Sequence, residues 1–325
     1  MKKIIWVLLD NRMGSVGQAR GVMSELDKDK FEIVEKKIEY NRLAGLPNCL
    51  RGRTLLGLTK QSRMLFGGQM PDVVLSTSRR TVPVARYIKK MSAEKTKLVQ
   101  LMHPGSCGLN EFSLVFVPEH DKAKKGGDNI RYIVGCPHRI NKESLAEAHN
   151  KWQQKFADMP KPLTAVVVGG AIKNRPFSVE NATQFGKMLA KFHQEVGGSF
   201  LLTTSRRTGE AAQNAILEQI KGIESYNYLW GNKDENPYMG FLSEADNIVV
   251  TGDSVSMCSE AVGTGKPVYV FVGQKWLTSK HLRFVNSLLD KKLAFLFSGK
   301  PTSEKNVSQM FNPAGFIASE ISLIV

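Results

Sequence analysis

Short, β-rich apolar runs alternate with amphipathic stretches along nearly the whole chain, stop at Met159-Pro160-Lys161-Pro162, and then begin again. A strand covered on both faces must be apolar throughout, and a parallel neighbour is reached only through a crossover, so this alternation predicts parallel sheets with helices between strands. Before the break the runs predict strands at 4–9, 31–37, 72–76, 98–102, 113–117 and 130–134, with helices at 16–26, 82–91 and 141–158. After it come strands at 163–168, 199–203, 247–251 and 267–272, with helices at 178–196, 210–220, 238–245, 256–262 and 278–289. At 325 residues the chain exceeds what one core usually organises. The expectation is an α/β protein of two βα domains, 1–158 and 159–312, facing each other across a cleft. A helix over 313–325 would pack back on the first domain.

The formal net charge is +15, and residues 51–100 hold eleven Lys/Arg against two Asp/Glu. An anionic partner is therefore expected on the first domain. Charge without interleaved aromatics or a reader motif gives no reason to expect nucleic acid. Cys49, Cys107, Cys136 and Cys258 form no CxxC pair, so neither a zinc site nor a disulfide framework is expected, which fits a reducing cytoplasm. Lys2-Lys3 before Ile4–Leu9 imitates a signal peptide, but the apolar core is short and ends at Asp10. No apolar run approaches the roughly 18 residues of a spanning helix, so membrane contact is expected to be peripheral. The segment around Leu50–Phe66 intersperses Arg51, Arg53, Lys60 and Arg63 with Leu, Met and Phe. A helix could sort these onto two faces, either packing on the core with its basic side in solvent or lying on an anionic membrane, and only the family resemblance given below favours the membrane.

The most informative stretch runs from Asn247 to Glu260, where a buried strand enters Thr251-Gly252-Asp253-Ser254-Val255-Ser256-Met257 and then a helix. Backbone N–H groups near Ser256 and Met257 would hold a phosphate at the sheet's carboxyl edge, and Glu260, one turn on, would accept both hydroxyls of a ribose. On spacing alone, Asp253 or Ser254 as a helix cap with Glu260 in solvent stands as an equal reading. Gly265-Lys266 fails as a P-loop because Pro267 replaces the Ser/Thr, and Gly252–Ser256 fails as a nucleophile elbow because Ser256 replaces glycine. Asp27-Lys28-Asp29 is formally a DxD, but in so charged a run it reads as a solvated turn.

Three further sets are expected to line the cleft. Gly169-Gly170 would let a ligand approach the backbone. Thr204 with Arg206 and Arg207 would pair with a pyrophosphate. Asp10, Arg12, Gly14 and Gln18 would face these from the first domain.

At these residues the sequence resembles the GT-B glycosyltransferase family named after a plant mitochondrial fission (elongated mitochondria) protein, which includes bacterial lipooligosaccharide outer-core glycosyltransferases. The resemblance is carried by Asp10-x-Arg12-x-Gly14 with Gln18, Pro71-Asp72-Val73-Val74, Ser78-Arg79-Arg80-Thr81, Val117–Asp121 and Gly135–Arg139. The second half adds Gly169-Gly170, Thr203–Arg207, Asn236-Pro237-Tyr238 and Thr251–Ala261. It implies a GT-B architecture of two Rossmann-like domains, donor on the second and acceptor on the first. The last region is also similar to the donor site of the lipid-linked peptidoglycan GlcNAc transferases, where a Glu at the position of Glu260 binds ribose. Relatives carry a His in the first loop where this chain has Ser15, so no histidine base is carried over there.

Together these readings predict a metal-independent glycosyltransferase that moves a sugar from a nucleotide-sugar donor to a lipid-linked or cell-surface glycan, without cofactor, in the cytoplasm or on the membrane's inner face. Expected donor contacts are Gly169, Gly170, Thr204, Arg206, Arg207, Asn236, Tyr238, Asp253, Ser254, Ser256, Met257 and Glu260. Arg12, Gly14, Gln18 and Arg79 are expected on the acceptor side, and Asp10, then His103, as the base. The alternatives are a nucleotide-sugar 2-epimerase, or a non-catalytic protein docking on membrane or partner.

Overall fold

The computed structural model describes residues 2–121, 127–302 and 309–325. The chain divides into one unit of Met1–Arg139 with Pro313–Val325, and a second of Ile140–Asn312.

The first unit is built on six parallel strands, β1 (Lys3–Leu9), β2 (Phe31–Lys37), β3 (Val73–Thr77), β4 (Lys97–Leu101), β5 (Leu114–Pro118) and β6 (Ile130–Ile133), in the order β2-β1-β3-β4-β5-β6. Helices α1 (Met13–Glu25), α2 (Asn48–Arg51), α3 (Lys60–Arg63) and α4 (Val82–Met91) connect the first of these. Central strands are apolar end to end because both faces are covered. Ile5, Val7 and Leu75 pack with Val22 of α1 on one side, and Leu8 and Val74 pack with Val84 and Ile88 of α4 on the other.

The second unit repeats the plan. Helices α5 (Lys142–Trp152), α6 (Val179–Val196), α7 (Glu210–Gln219), α8 (Tyr238–Glu244), α9 (Val255–Gly263) and α10 (Ser279–Asp290) accompany six parallel strands. These are β7 (Leu163–Val168), β8 (Ser199–Thr204), β9 (Ser225–Tyr228), β10 (Asn247–Thr251), β11 (Val268–Phe271) and β12 (Phe295–Leu296), in the order β9-β8-β7-β10-β11-β12. This is the doubly wound order, and strand order reverses between β7 and β10, the switch point where such sheets bind ligands at their carboxyl ends. In the first sheet the reversal falls between β1 and β3.

The division falls at Arg139–Ile140 rather than at the expected 158/159, because α5 belongs to the second unit. Trp152 lies against Gly240 of α8, where a Cβ would come within 2.4 Å of the indole. Phe156, fully buried, packs edge-on against Phe241 and Tyr226. Helix α11 (Pro313–Leu323) buries Ala314, Ile317 and Ile321 in the first unit's core beside α1.

The expected amphipathic helix over 50–66 is not formed. Helix α2 ends at Gly52, whose φ is +54°, and α3 is a separate single turn capped by the Thr59 hydroxyl. Arg51, expected at a membrane, is 1 % exposed and donates to the carbonyls of Ala44 and Arg80. Arg53 pairs with Glu94 and Glu111, Arg63 donates to the carbonyls of Leu58 and Leu56, and Lys60 is exposed. Among the described residues no helix is long and apolar enough to cross a membrane.

Candidate functional site

At the carboxyl end of the second sheet lies a cavity of about 490 Å³, a size that suits a small-molecule ligand. Thr203, Thr204 and Ser205 reach it from the end of β8, Tyr228, Trp230, Gly231 and Asn232 from the end of β9, Asn236 and Tyr238 from the start of α8, and Met257 and Glu260 from α9.

Glu260 is partly buried, and its Oε2 accepts a 2.7 Å hydrogen bond from the Tyr238 hydroxyl. Burial pushes this carboxyl above the usual carboxylate range while the Tyr238 bond draws it back down. A carboxylate so placed can accept from a vicinal diol. Tyr238 is set by its own turn, in which the Asn236 side chain accepts the Tyr238 N–H at 3.0 Å. The Thr204 hydroxyl accepts the Trp230 N–H at 2.8 Å and donates to Gln213, so it anchors the Trp230 loop. Trp230 is 62 % exposed.

The structure gives four of the expected donor residues a different task. Gly169, Gly170, Arg207 and Asp253 form a knot beneath the cavity. Asp253, whose side chain is fully covered, accepts from Gly170 N at 2.8 Å, Arg207 Nη1 at 2.7 Å and the Thr251 hydroxyl at 2.8 Å. The same Arg207 nitrogen donates to the Ala171 carbonyl. Burial pushes the Asp253 carboxyl up, against the pull of Arg207, Thr251 and Gly170. A Cβ at Gly169 would lie 2.2 Å from Asp253 Oδ1, and one at Gly170 would lie 2.1 Å from the Arg207 backbone. The two glycines thus make room for neighbouring loops of the protein.

Ser254 caps α9, its hydroxyl accepting the Met257 N–H at 3.4 Å, and Ser256 lies in the helix's first turn outside the cavity lining. Arg206 is exposed and lines an adjoining 410 Å³ cavity that shares Ser205 and Trp230 with the first. The sequence reading missed Tyr228, Trp230, Gly231 and Asn232. The available signal was one tryptophan directly after a strand end in a polar loop.

In the first unit, Asp10 contributes to a separate 410 Å³ cavity with Arg20, Lys37 and Glu39. Its carboxylate is covered, accepting from Arg12 N at 2.9 Å and pairing with Arg80 at 3.4 Å. Arg12 precedes α1, and Gly14 and Gln18 lie within it; Arg79 is exposed between β3 and α4. His103 Nδ1 accepts the Gly105 N–H at 3.1 Å.

Two Rossmann-like units with parallel six-stranded sheets make the GT-B fold. The structure of a Neisseria meningitidis UDP-GlcNAc 2-epimerase bound to UDP-GlcNAc matches at a TM-score of 0.55, with 14 % identity over 98 % of both chains. MurG of Acinetobacter baumannii matches at 0.50, with 11 % identity over 99 % of this chain and 90 % of its own. At such identities the likeness is one of fold.

The chain belongs to the mitochondrial fission ELM1 family, whose model matches residues 13–323. It is 31 % identical to the mitochondrial fission protein ELM1 of Arabidopsis thaliana over 75 % of this chain, and spans 61 % of that protein's length. It is 30 % identical to the uncharacterized protein RP120 of Rickettsia prowazekii over 90 % of both.

Proposed function

We propose that the chain is a glycosyltransferase whose second unit binds a nucleotide-sugar donor and whose first unit receives a glycan acceptor. The observation that carries the reading is the Tyr238–Glu260 pair inside the 490 Å³ cavity at the carboxyl end of a doubly wound sheet. Glu260 is the ribose acceptor, Trp230 the platform for the base, and Arg206 the cation for the leaving diphosphate. Asp253 and Arg207 hold the loops beneath and are withdrawn from direct contact. Among the described residues no group of three or more His, Cys, Asp or Glu is placed to hold a metal. Asp10 remains the proposed base, since its Oδ2 is held by a long 3.4 Å contact to Arg80. The lipid-linked or cell-surface character of the acceptor rests on the sequence resemblance alone.

A second reading, nucleotide-sugar 2-epimerase, is favoured by the fold match to the UDP-GlcNAc-bound enzyme. Incubation with a panel of nucleotide sugars, with and without a glycan-rich extract and with excess chelator, separates the readings. Transfer that requires the extract and survives chelation supports the transferase; isomerisation of the sugar without extract supports the epimerase. Recovery of every nucleotide sugar unchanged and unbound overturns both.

A further inference from the structure

The first sheet has a switch point of its own, between β1 and β3, and arginines crowd it. Arg80 reaches from the β3–α4 loop to the β1–α1 loop, donating to Asn11 at 2.6 Å and pairing with Asp10, and its guanidinium lies 4.3 Å over the Tyr40 ring. Beneath it, Arg51 donates to the Arg80 carbonyl at 3.1 Å. Burial chiefly holds Arg51 below its ordinary value, and Arg79 and Arg80 push it the same way, so the three cations repel one another. Tyr40 feels Asp10 on one side and Arg80, Arg51 and Arg12 on the other. The guanidiniums of Arg12, Arg51, Arg79 and Arg80 therefore share this strand edge with the carboxylate of Asp10, and Glu39 lines the same cavity as Asp10.

Two more observations point to an anion. Helices α1 and α4 both begin here, and neither has a side-chain cap or an acidic residue in its first turn. The Thr81 hydroxyl, in the capping position of α4, turns back to the carbonyls of Thr77 and Ser78 instead. The start of α4 is thus left uncompensated by the protein, while at α1 the one compensating group is the Asp10 carboxylate on the Arg12 N–H. At the same strand end the hydroxyls of Thr77 and Ser78 are buried, 1 % and 6 % exposed by residue, and have no hydrogen-bond partner, as is also true of Arg80 Nε. Ser78 adopts φ +78°, a left-handed conformation that non-glycine residues rarely take. Buried polar groups are normally satisfied, and orphans gathered at a switch point beside helix N-termini mark where a ligand completes the set.

We propose that the β1–β3 switch point of the first unit binds a phosphate ester, through Arg12, Arg79 and Arg80 with the N-terminal turns of α1 and α4. The planar guanidinium fork matches phosphate oxygens, and a compact anion relieves the mutual repulsion of the arginines. Within the transferase reading, on which this step rests, the site selects an acceptor that carries a phosphate and holds it by that group. The buried position of Arg51 and the compactness of the cluster favour a phosphate on a soluble or protruding group over a flat headgroup surface.

Titration calorimetry of the full chain with inorganic pyrophosphate and with glucose 6-phosphate, glucose being the neutral control, tests the site. Arg12 and Arg79 are exposed and have no side-chain hydrogen bond among the described residues, so Arg12→Gln and Arg79→Gln are expected to fold. Each should weaken phosphate binding about tenfold or more, whereas Lys221→Gln, at an exposed cation of the second unit outside both sites, should leave the glucose 6-phosphate titration unchanged. Wild-type binding that Arg206→Gln abolishes and Arg79→Gln spares overturns the proposal, as does binding only to phosphatidic acid vesicles, or no binding at low salt. Nucleotide-sugar titrations run alongside report on the donor reading: its failure with phosphate binding intact removes the transferase and leaves the anion site standing.

Discussion

The Tyr238 hydroxyl and Glu260 Oε2 are 2.7 Å apart, one residue at the start of α8 and the other in α9, and this bond supplies the carboxylate's hydrogen-bond partner among the described residues. It draws down a carboxyl that burial has pushed up, so Tyr238 tunes the group proposed to hold the ribose.

Replacing Glu260 with Ala should weaken nucleotide-sugar binding by about 1.5–3 kcal/mol, the worth of charge-assisted hydrogen bonds, or roughly ten- to hundredfold. Because the ionised form accepts the diol, affinity should be complete above the raised carboxyl pKa and fall as pH drops through it. In Tyr238→Phe that loss should begin at higher pH, since the bond that favours ionisation is gone. The ligand-free protein should respond oppositely. A folded pKa above the unfolded one contributes stability that is present below the ordinary carboxylate range and fades as pH rises through the folded value, and Asp253 adds a shift of the same sign. Calorimetry and melting curves across pH check the two directions; equal donor affinity in folded Glu260→Ala would show that the carboxylate does not meet the ligand.

Trp230 is largely exposed on the cavity rim, so Trp230→Ala should leave the melting temperature nearly unchanged while removing a stacking surface worth about 1–3 kcal/mol to a base. Binding of a nucleoside diphosphate should quench tryptophan fluorescence in the wild type and lose most of that quench in the variant. An unaltered titration would place the base elsewhere.

Below the cavity the partners of the Arg207–Asp253 pair are unequal. Asp253 is covered and satisfies three donors, whereas the Arg207 side chain is 37 % exposed. Asp253→Ala should cost about 3 kcal/mol or more, as removal of one member of a buried pair does. Arg207→Gln should cost about 1 kcal/mol or less, because water reaches the site. Denaturant titration that ranks them the other way would mean that Arg207, not Asp253, organises the loops.

How much was legible in the sequence follows from burial. Strands covered on both faces, such as Leu163–Val168 and Asn247–Thr251, announced themselves as apolar runs. Edge strand β9 reads Ser-Tyr-Asn-Tyr and is half exposed, and β12 has only two residues, so neither carried that signal. The 50–66 segment misled because hydrophobic and basic residues alternate there for a local reason. Arg51 is a buried bracket for the Arg80 loop, and a Cβ at Gly57 would strike its guanidinium at 2.6 Å. In the site, Glu260 and Tyr238 could be named because each follows a recognisable strand–loop–helix or loop–helix start. The task of Gly169 could not, since its constraint is Asp253, more than eighty residues away.

The glycines offer the last test, because two that look alike in sequence meet different surroundings. A Cβ at Gly169 would sit 2.2 Å from the Asp253 carboxylate in a buried loop, while one at Gly14, in the first turn of α1, would meet nothing within 4 Å. Gly169→Ala should therefore lose about 1–3 kcal/mol through overpacking, and with it donor binding, since the knot under the cavity shifts. Gly14→Ala should gain about 0.5–1 kcal/mol from helix propensity. If Gly14 also lets an acceptor approach the backbone at the β1–α1 loop, this more stable variant should keep donor affinity and lose transfer. Melting curves, donor titration and transfer assays on the two variants read these effects separately. Full transfer by Gly14→Ala would remove that glycine from the acceptor side.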